Sequence, residues 1–441
     1  MRLTAPLHQL QHWQAALRTI KSAQLKHLAE ATGIRSAGPK PDLLTRIESD
    51  LTMGHEYPFG MELGPFGGSS GRGSVKGKGE GKRNTEMRIL SIDMGIRNLA
   101  FAHLVYSPQP APSKTTTKNT SKSKEEPAKE TRGTATLTAW HRLDLTTPSD
   151  QTPSSSPSLT PKEEMDQATL LKELAPAPPE ERRKQRGEFS LPVYAHHAYT
   201  LLTTLLSTCN PTHILIERQR FRSAGGSAVQ EWSLRVGCFE GMLWAVLHAL
   251  AKERLASTST GNGEVPIVRG VEPSRVVRYW GDRFGFKNFK LGDGEVEESE
   301  DLDDSNEDEE ITQDTLKNGK SKKKGTKKTK KKPQDAKKVR IDLAGSWLDR
   351  YQLGAGAGQA TDGLSTTLVL GKRDAELKET AQAFSNKWHG IRRKKGDKDI
   401  GKLDDLADCL VQGMTWLEWQ IAKERIVNEG PGFLLENLEK P

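Results

Sequence analysis

Residues 88–105 read RILSIDMGIRNLAFAHLV, an apolar run broken by a single acid, Asp93. A buried strand tolerates a carboxylate only when that carboxylate has a partner, so Asp93 either caps a turn or holds something positive. The spacing predicts strand, turn and strand over Met87–Val105. The remainder of the chain decides which role Asp93 takes.

Moving outward, ATLTAWHRLDL at 135–145 resumes the alternation of a third strand. Residues 190–210, SLPVYAHHAYTLLTTLLSTCN, have helical spacing that ends near Asn210, and THILIE at 212–217 is a short apolar strand finishing in an acid, Glu217. From Val229 to Leu250, Trp232, Val236, Phe239, Leu243, Val246 and Leu250 recur three or four apart, the pattern of a long core helix. EVPIVRGVEP at 264–273 reads as strand and turn, SRVVRYWGDRFGF as a helix opened by Ser274, and VRIDLAGSWLDRY as a further helix. No element is assigned between there and about Trp388. A strong final helix spans KLDDLADCLVQGMTWLEWQIAKERI, Lys402–Ile426.

Low-complexity sequence separates these pieces. Residues 53–86 are rich in Gly, Ser and Lys and read as a linker; 107–134 and 146–187 read as disordered inserts. Residues 291–338 carry an acidic block, DGEVEESEDLDDSNEDEE, and then a lysine block, KNGKSKKKGTKKTKKKPQDAKK; charge this dense cannot form a core. The lysine block also leaves a nuclear location open. Domains are therefore expected at 1–52, a helical module, and 87–425, one interrupted domain, with 426–441 as a tail.

Composition narrows the chemistry. Of 441 residues 34% are hydrophobic, and 66 Lys plus Arg against 58 Asp plus Glu leave a net charge of +8, a balance that suits a nucleic-acid partner. Mean hydropathy is −0.67, and no uninterrupted apolar window of bilayer-spanning length is found, so no membrane partner is expected. Cys209, Cys238 and Cys409 lie far apart without Cys-x-x-Cys spacing, against a disulfide framework or zinc site. The N-terminus holds Arg2, Arg18, Lys21 and Lys26 before its first acid, Glu30, which suits a targeting segment and equally the first helix of a folded module.

Without the inserts, the order of elements matches the ribonuclease H-like α/β arrangement, a mixed sheet flanked by helices. The fourth strand of such a sheet neighbours the first, bringing Asp93 and Glu217 together. On the final helix Leu403, Leu406, Leu410, Met414 and Leu417 form one stripe. Asp404, Asp405 and Asp408 share the other side with Val411, Trp416 and Trp419. A helix apolar nearly all round is packed on both faces, and its acids then need a partner. Magnesium supplies one, since hard cations take oxygen ligands and clustered carboxylates hold the ion pair used in phosphodiester hydrolysis. Arg218, Gln219, Arg220 and Arg222, directly after Glu217, are placed to grip phosphates.

LSIDMGIRNLAF, IERQRFRS followed by EWSLRVGCFEGML, and KLDDLADCL resemble the fungal mitochondrial Holliday junction resolvases, a family similar to bacterial RuvC in fold. Residues Ile20–Leu51 resemble the SAP motif, a DNA-packing helical hairpin. The resemblance implies a homodimeric, magnesium-dependent endonuclease, with manganese as a substitute and about two ions per site. Its substrate would be four-way junction DNA, with no small-molecule substrate, and its place mitochondrial DNA recombination. It implies Asp93 and Glu217 as metal ligands, joined by Asp408 and either Asp404 or Asp405, with Arg97 and Lys402 as further DNA contacts. Actin-type ATPases also open with strand, Asp and Gly, but their second, glycine-rich phosphate loop is absent. Two rivals stay open: a nuclease of other specificity on the same scaffold, and a non-catalytic SAP-containing DNA-binding protein.

Overall fold

The computed structural model describes residues 5–56, 86–108, 133–145, 190–219, 231–257, 265–283, 289–290, 334–352, 364–372 and 374–435. Its centre is a six-stranded mixed sheet. β1 (Met87–Asp93), β2 (Leu99–Pro108) and β3 (Gly133–Leu143) form an antiparallel meander. β4 (His213–Glu217) adds parallel to β1, and β5 (Ile267–Val271) parallel to β4. Two-residue strands β6 (Phe289–Lys290) and β7 (Gln334–Asp335) pair separately. β8 (Thr366–Leu370) closes the other edge against β3, giving the order β5-β4-β1-β2-β3-β8. This is the ribonuclease H-like arrangement expected, extended by one strand.

The expected boundaries shift at several places. Ser107 and Pro108 pair with Thr134 and Gly133, so both ends of the insert placed at 107–134 belong to the meander. Residues 146–187 lie outside the described residues. The insert placed at 291–338 ends early, because Ala336 already opens a helix. β8 falls in the stretch to which no element was assigned: TTLVL is five residues long and gains its identity only by pairing with β3.

Alternation along the strands gives the sheet two apolar faces. Leu90, Ile92, Phe101, Ile214 and Ile216 meet helices α4 (Leu191–Cys209) and α5 (Glu231–Ser257). Asn210 stops α4 in a left-handed conformation, φ 40°, its N–H donating to the Leu206 carbonyl. Residues 233–254 of α5 are long and apolar enough to cross a membrane by length and composition, contrary to expectation. Leu243, Val246, Leu247 and Leu250 carry that average while Arg235 and Glu240 interrupt it. Within the fold Val236, Phe239, Leu243 and Leu247 seat on the sheet, as a core helix does.

On the other face Ile89, Ala100, Ala102, Leu104, Trp140 and Leu215 meet α6 (Pro273–Arg283), α7 (Ala336–Gln352), α8 (Ala375–Trp388) and α9 (Asp404–Glu429). α9 lies directly on the sheet. Gln412 donates to Ser91 Oγ at 3.0 Å and to the Ile92 carbonyl at 3.2 Å, and Trp140 Nε1 donates to the Leu406 carbonyl at 2.9 Å. Gly413 faces Leu104 and Ser91, where a Cβ would come within 2.8 Å of the Leu104 side chain.

The N-terminal module is three helices, α1 (Ala5–Thr19), α2 (Ser22–Ala31) and α3 (Lys40–Glu56), so its last helix enters the stretch assigned to the linker at 53–86. Its core joins Trp13, Leu17, Leu25, Leu28, Leu43 and Ile47 to Ile426 and Val427 of α9, with Phe433 and Leu434 of α10 (Gly432–Leu435) against it. Residues 426–435 therefore complete this core, where a tail was expected. Two further bonds tie α6 to the module, Arg275 Nη1 to the Gly33 carbonyl at 3.0 Å and Arg278 Nη1 to Ser36 Oγ at 3.3 Å.

Gly33 has φ +71°, and a Cβ there would collide with the Trp419 indole. Gly33→Ala is expected to destabilise the module, by about 1–2 kcal/mol for the left-handed backbone and about 1–3 kcal/mol for displacing the indole. Limited proteolysis checks this: the variant should be cut after α3 sooner than the wild type, and equal rates would contradict the docking.

Candidate active site

One row of residues crosses the sheet on the α9 face. Glu217 sits one residue beyond Ile216, which pairs with Ile92, and so neighbours Asp93; Asp93 pairs with Ala100, and Ala100 with Arg142. Laterally paired residues project to the same side, about 4.8 Å apart from strand to strand. Asp93 is thus flanked by one acid, with a guanidinium two strands away. Parallel pairing of β1 with β4 enforces this, because both strands end at the same level.

The first turns of α9 bring the other acids onto that row. Burial drives the Asp93 carboxyl well above its ordinary range, and Glu217, hydrogen-bonded to it, raises it further, as do Asp408 and Asp405. Asp408 is pushed up to about 7, chiefly by burial and partly by Glu217, against the pull of Arg340. Asp405 rises to about 6, from burial and the neighbouring Asp404, against the pull of Arg142. Four carboxylates from three elements therefore repel one another across one buried space. Perturbed acids gathered in this way mark a functional site more often than a structural one.

Asp404 behaves differently. Burial raises its carboxyl, but the ammonium of Lys337, 3.1 Å away, outweighs this and holds it below the usual range. It turns toward α7, and the acids that raise Asp93 include Asp405 and Asp408 but not Asp404.

Two oxygens of this cluster are orphaned. Asp405 Oδ2 and Asp408 Oδ1 are buried without a hydrogen-bond partner. Arg142 Nη1 stands 3.7 Å from the first, and Arg340 Nε 3.0 Å from the second but off the hydrogen-bonding line. Glu418, on the same helix and more deeply buried, is the instructive contrast. Its oxygens accept from Ser365 N at 3.0 and 3.1 Å, from Ser365 Oγ, and from Thr366 Oγ1 at 2.8 Å. The fold satisfies a structural acid on α9 fully and leaves Asp405 and Asp408 open.

Hard carboxylate oxygens with unused lone pairs fit a divalent cation. Among the described residues no three His, Cys, Asp or Glu side chains already form a closed coordination group, so an ion would have to draw the acids together. Burial pushes the neighbouring Cys409 thiol far up, and its Sγ donates to the Leu406 carbonyl; with Cys209 and Cys238 it is a free cysteine.

The expected DNA-contact residues separate. Arg97, in the turn after β1, is exposed, as are Lys402 just before α9 and Arg218. Arg218 reaches Glu272 at 3.5 Å, and the Gln219 N–H donates to Glu240 Oε2 at 3.0 Å. Arg220 and Arg222 lie outside the described residues. Sequence reasoning missed Arg142, Arg340 and Lys337. The signal for Arg142 was a cation at an inward position of the third strand; Lys337 was hidden inside the lysine block.

A sheet whose neighbouring central strands end in acids, faced by a helix delivering two more, defines the class of ribonuclease H-like nucleases. The model of the family described as mitochondrial resolvase Ydc2 / RNA splicing MRS1 matches residues 89–426. The chain belongs to that family. It is similar to the mitochondrial cruciform cutting endonuclease 1 of Schizosaccharomyces pombe, 24% identical over 264 residues, which cover 60% of this chain and 68% of that protein. Among solved structures it matches the yeast mitochondrial Holliday junction resolvase Ydc2 with a TM-score of 0.43 and 17% identity, over 94% of this chain and 100% of the other. It also matches Thermus thermophilus RuvC with a TM-score of 0.19 and 13% identity, over 47% and 86%. These superpositions are loose, and the sheet order itself carries the fold.

Raised carboxyls have a consequence for stability. A folded-state pKa of about 7 at Asp408, against 3.8 for the free side chain, means the native state holds a proton that the unfolded state has already released. The local contribution is therefore present at low pH and is lost as pH climbs from about 4 through 7. Asp408→Asn removes this dependence: metal-free, its melting temperature should gain on the wild type by several degrees between pH 5 and pH 8. A constant difference would contradict the assignment.

Proposed function

We propose that this protein is an endonuclease that resolves four-way DNA junctions in mitochondria, making paired hydrolytic incisions as a homodimer. One observation carries the reading: Asp93, Glu217, Asp405 and Asp408 converge on one buried space with oxygens left open, while Glu418 on the same helix is fully bonded. Family membership supports it, as does the likeness to a protein named for cutting cruciforms.

Asp93, Glu217, Asp405 and Asp408 would hold two magnesium ions, with manganese able to substitute. Asp404 stays with Lys337. When bound, such ions supply an activated water and a stabilised leaving oxygen for in-line displacement at phosphorus. The chain's own residues do the rest. Arg340 and Arg142 stand beside Asp408 and Asp405 and oppose their protonation, so burial lifts these acids no further than about 7 and about 6. Ala100, which pairs with Asp93, and Leu406 and Ala407, which lie between Asp405 and Asp408, are buried, and such low-dielectric surroundings strengthen each charge interaction. Arg97, Arg218, Gln219 and Lys402, with Arg220 and Arg222 next in the sequence, bind and orient the phosphate backbone.

The N-terminal module serves as an SAP-like DNA contact, its Lys21, Lys26 and Arg35 exposed. A junction of approximate twofold symmetry calls for an isologous pair of sites. Exposed Leu191, Val193 and Tyr199 of α4 and Leu234 of α5 offer an apolar surface for that pairing, on the face away from the acids. A second reading, non-catalytic RNA work as in the splicing half of the family's description, is disfavoured by the open carboxylates, which cost stability and serve nothing without a cation.

The purified protein, incubated with a synthetic four-way junction and a matched linear duplex, should cut the junction symmetrically and only with a divalent ion. Asp93→Asn should slow cutting roughly a thousandfold, about 4 kcal/mol, and leave junction binding within a few fold. Tight binding without cutting under any divalent ion would refute the nuclease.

A further inference from the structure

The connection from α8 to α9, HGIRRKKGDKDIGK at 389–402, belongs to none of the elements used so far. It contains six cations, Arg392, Arg393, Lys394, Lys395, Lys398 and Lys402, against two acids, Asp397 and Asp399. Every residue from Ile391 to Asp397 is exposed. Arg393 pairs with Asp399 at 3.0 Å, and Lys398 with Glu376 at 2.8 Å and Thr380 Oγ1 at 2.9 Å. Arg392, Lys394 and Lys395 have no acidic partner among the described residues. Like charges this close repel, and folding gains nothing by holding them together.

The loop is nevertheless held in shape. The Ile391 N–H donates to the Asn386 carbonyl at 2.8 Å, with Gly390 at φ +71°, which turns the chain sharply off the end of α8. At the tip the Lys394 N–H donates to Asp397 Oδ2 at 2.8 Å and the Asp397 N–H to the Lys394 carbonyl at 3.1 Å, with Gly396 at φ +105°. Its base is fastened from both sides. Trp388 Nε1 reaches Asp342 Oδ1 at 3.0 Å, His389 Nε2 lies 2.7 Å from Asp349 Oδ2, and Lys387 donates to the Gly401 carbonyl.

That base also approaches the acids, through Arg142. Gly401 leaves no room for a Cβ because the Arg142 guanidinium occupies the space, and Arg142 is the group beside Asp405. Three residues after Gly401, α9 begins with Asp404 and Asp405. One further feature is unusual: Ile391, at the start of the cationic run, is 55% exposed. An aliphatic side chain offered to solvent beside four consecutive cations matches the wedge that DNA-bending proteins insert at an unstacked base step.

We propose that residues 391–395 form a DNA-gripping arm, with Arg392, Lys394 and Lys395 on the phosphates and Ile391 inserted at the unpaired or distorted step next to the scissile phosphate. This rests on the nuclease reading, which supplies the substrate. Because the arm is fastened to α8 and, through Arg142, to Asp405, DNA held by it is also registered against the acids. A branched substrate, whose bases unstack at its centre, accepts the wedge at lower cost than a continuous duplex, so the arm favours junctions over linear DNA.

Two variants of the full chain test the arm, both at exposed positions, with unchanged melting temperature as the control. Arg392→Ala/Lys394→Ala/Lys395→Ala should weaken junction binding about tenfold or more and lower the slope of log affinity against log salt by about 2–3, as three lost phosphate contacts require. Ile391→Ala should keep that slope but lose the rise in fluorescence of an adenine analogue placed at the junction centre, and its preference for junction over linear duplex. A triple variant with wild-type affinity and slope, or an Ile391→Ala protein that still unstacks the centre, would overturn the arm. Wild-type protein that binds and unstacks junctions without cutting them would overturn the nuclease reading alone, since the arm is read by binding.

Discussion

Parallel pairing of β1 with β4 sets two carboxylates side by side at the ends of adjacent strands, and the rest of the site answers the repulsion this creates. Burial drives the Asp93 carboxyl well above its ordinary range, and the neighbouring Glu217 drives it further. α9 deepens the problem by adding Asp405 and Asp408. Arg340 and Arg142 ease it only partly, since neither completes a hydrogen bond to the open oxygen it faces. Such a cluster is unstable by itself, and positive charge of high density, such as the proposed divalent ions, would relieve it.

α9 is the beam on which both ends of the molecule are mounted. Its first turns carry the acids, its middle is seated on the sheet through Gln412 and Gly413, and its last turns complete the core of the N-terminal module through Ile426 and Val427. Asp408 and Ile426 are 18 residues apart in one helix, so at 1.5 Å per residue the module is anchored about 27 Å from the acids. A helix buried on nearly every side cannot bend freely, and the module therefore moves with the catalytic face. This also accounts for the loss of hydrophobic periodicity along α9: it packs on the sheet, on α7 and on the module at once.

Much of this was legible in the sequence. Asp93 stood out because an acid in an apolar run needs a partner, Glu217 because it ends a strand, and the α9 acids because their helix is apolar on both sides. The meander and the helices α4 to α7 follow from local patterns of period two and 3.6, and the β1–β4 adjacency from the ribonuclease H-like order of the elements. What could not be read depends on pairing between distant segments. β8 is five residues of ordinary apolar sequence until β3 receives it. Arg142, Arg340 and Lys337 look like surface cations until the fold brings them to the acids, and the choice between Asp404 and Asp405 turns on Lys337 alone. The docking of residues 426–435 on the N-terminal module escaped for the same reason.

The most direct measurement is a crystal of the full chain soaked in manganese, with anomalous scattering used to locate the ions. The account predicts peaks within about 2.0–2.6 Å of oxygens from Asp93, Glu217, Asp405 and Asp408, with Asp404 still on Lys337. Peaks placed on Asp404, or none at the four acids in a crystal that binds manganese elsewhere, would contradict it.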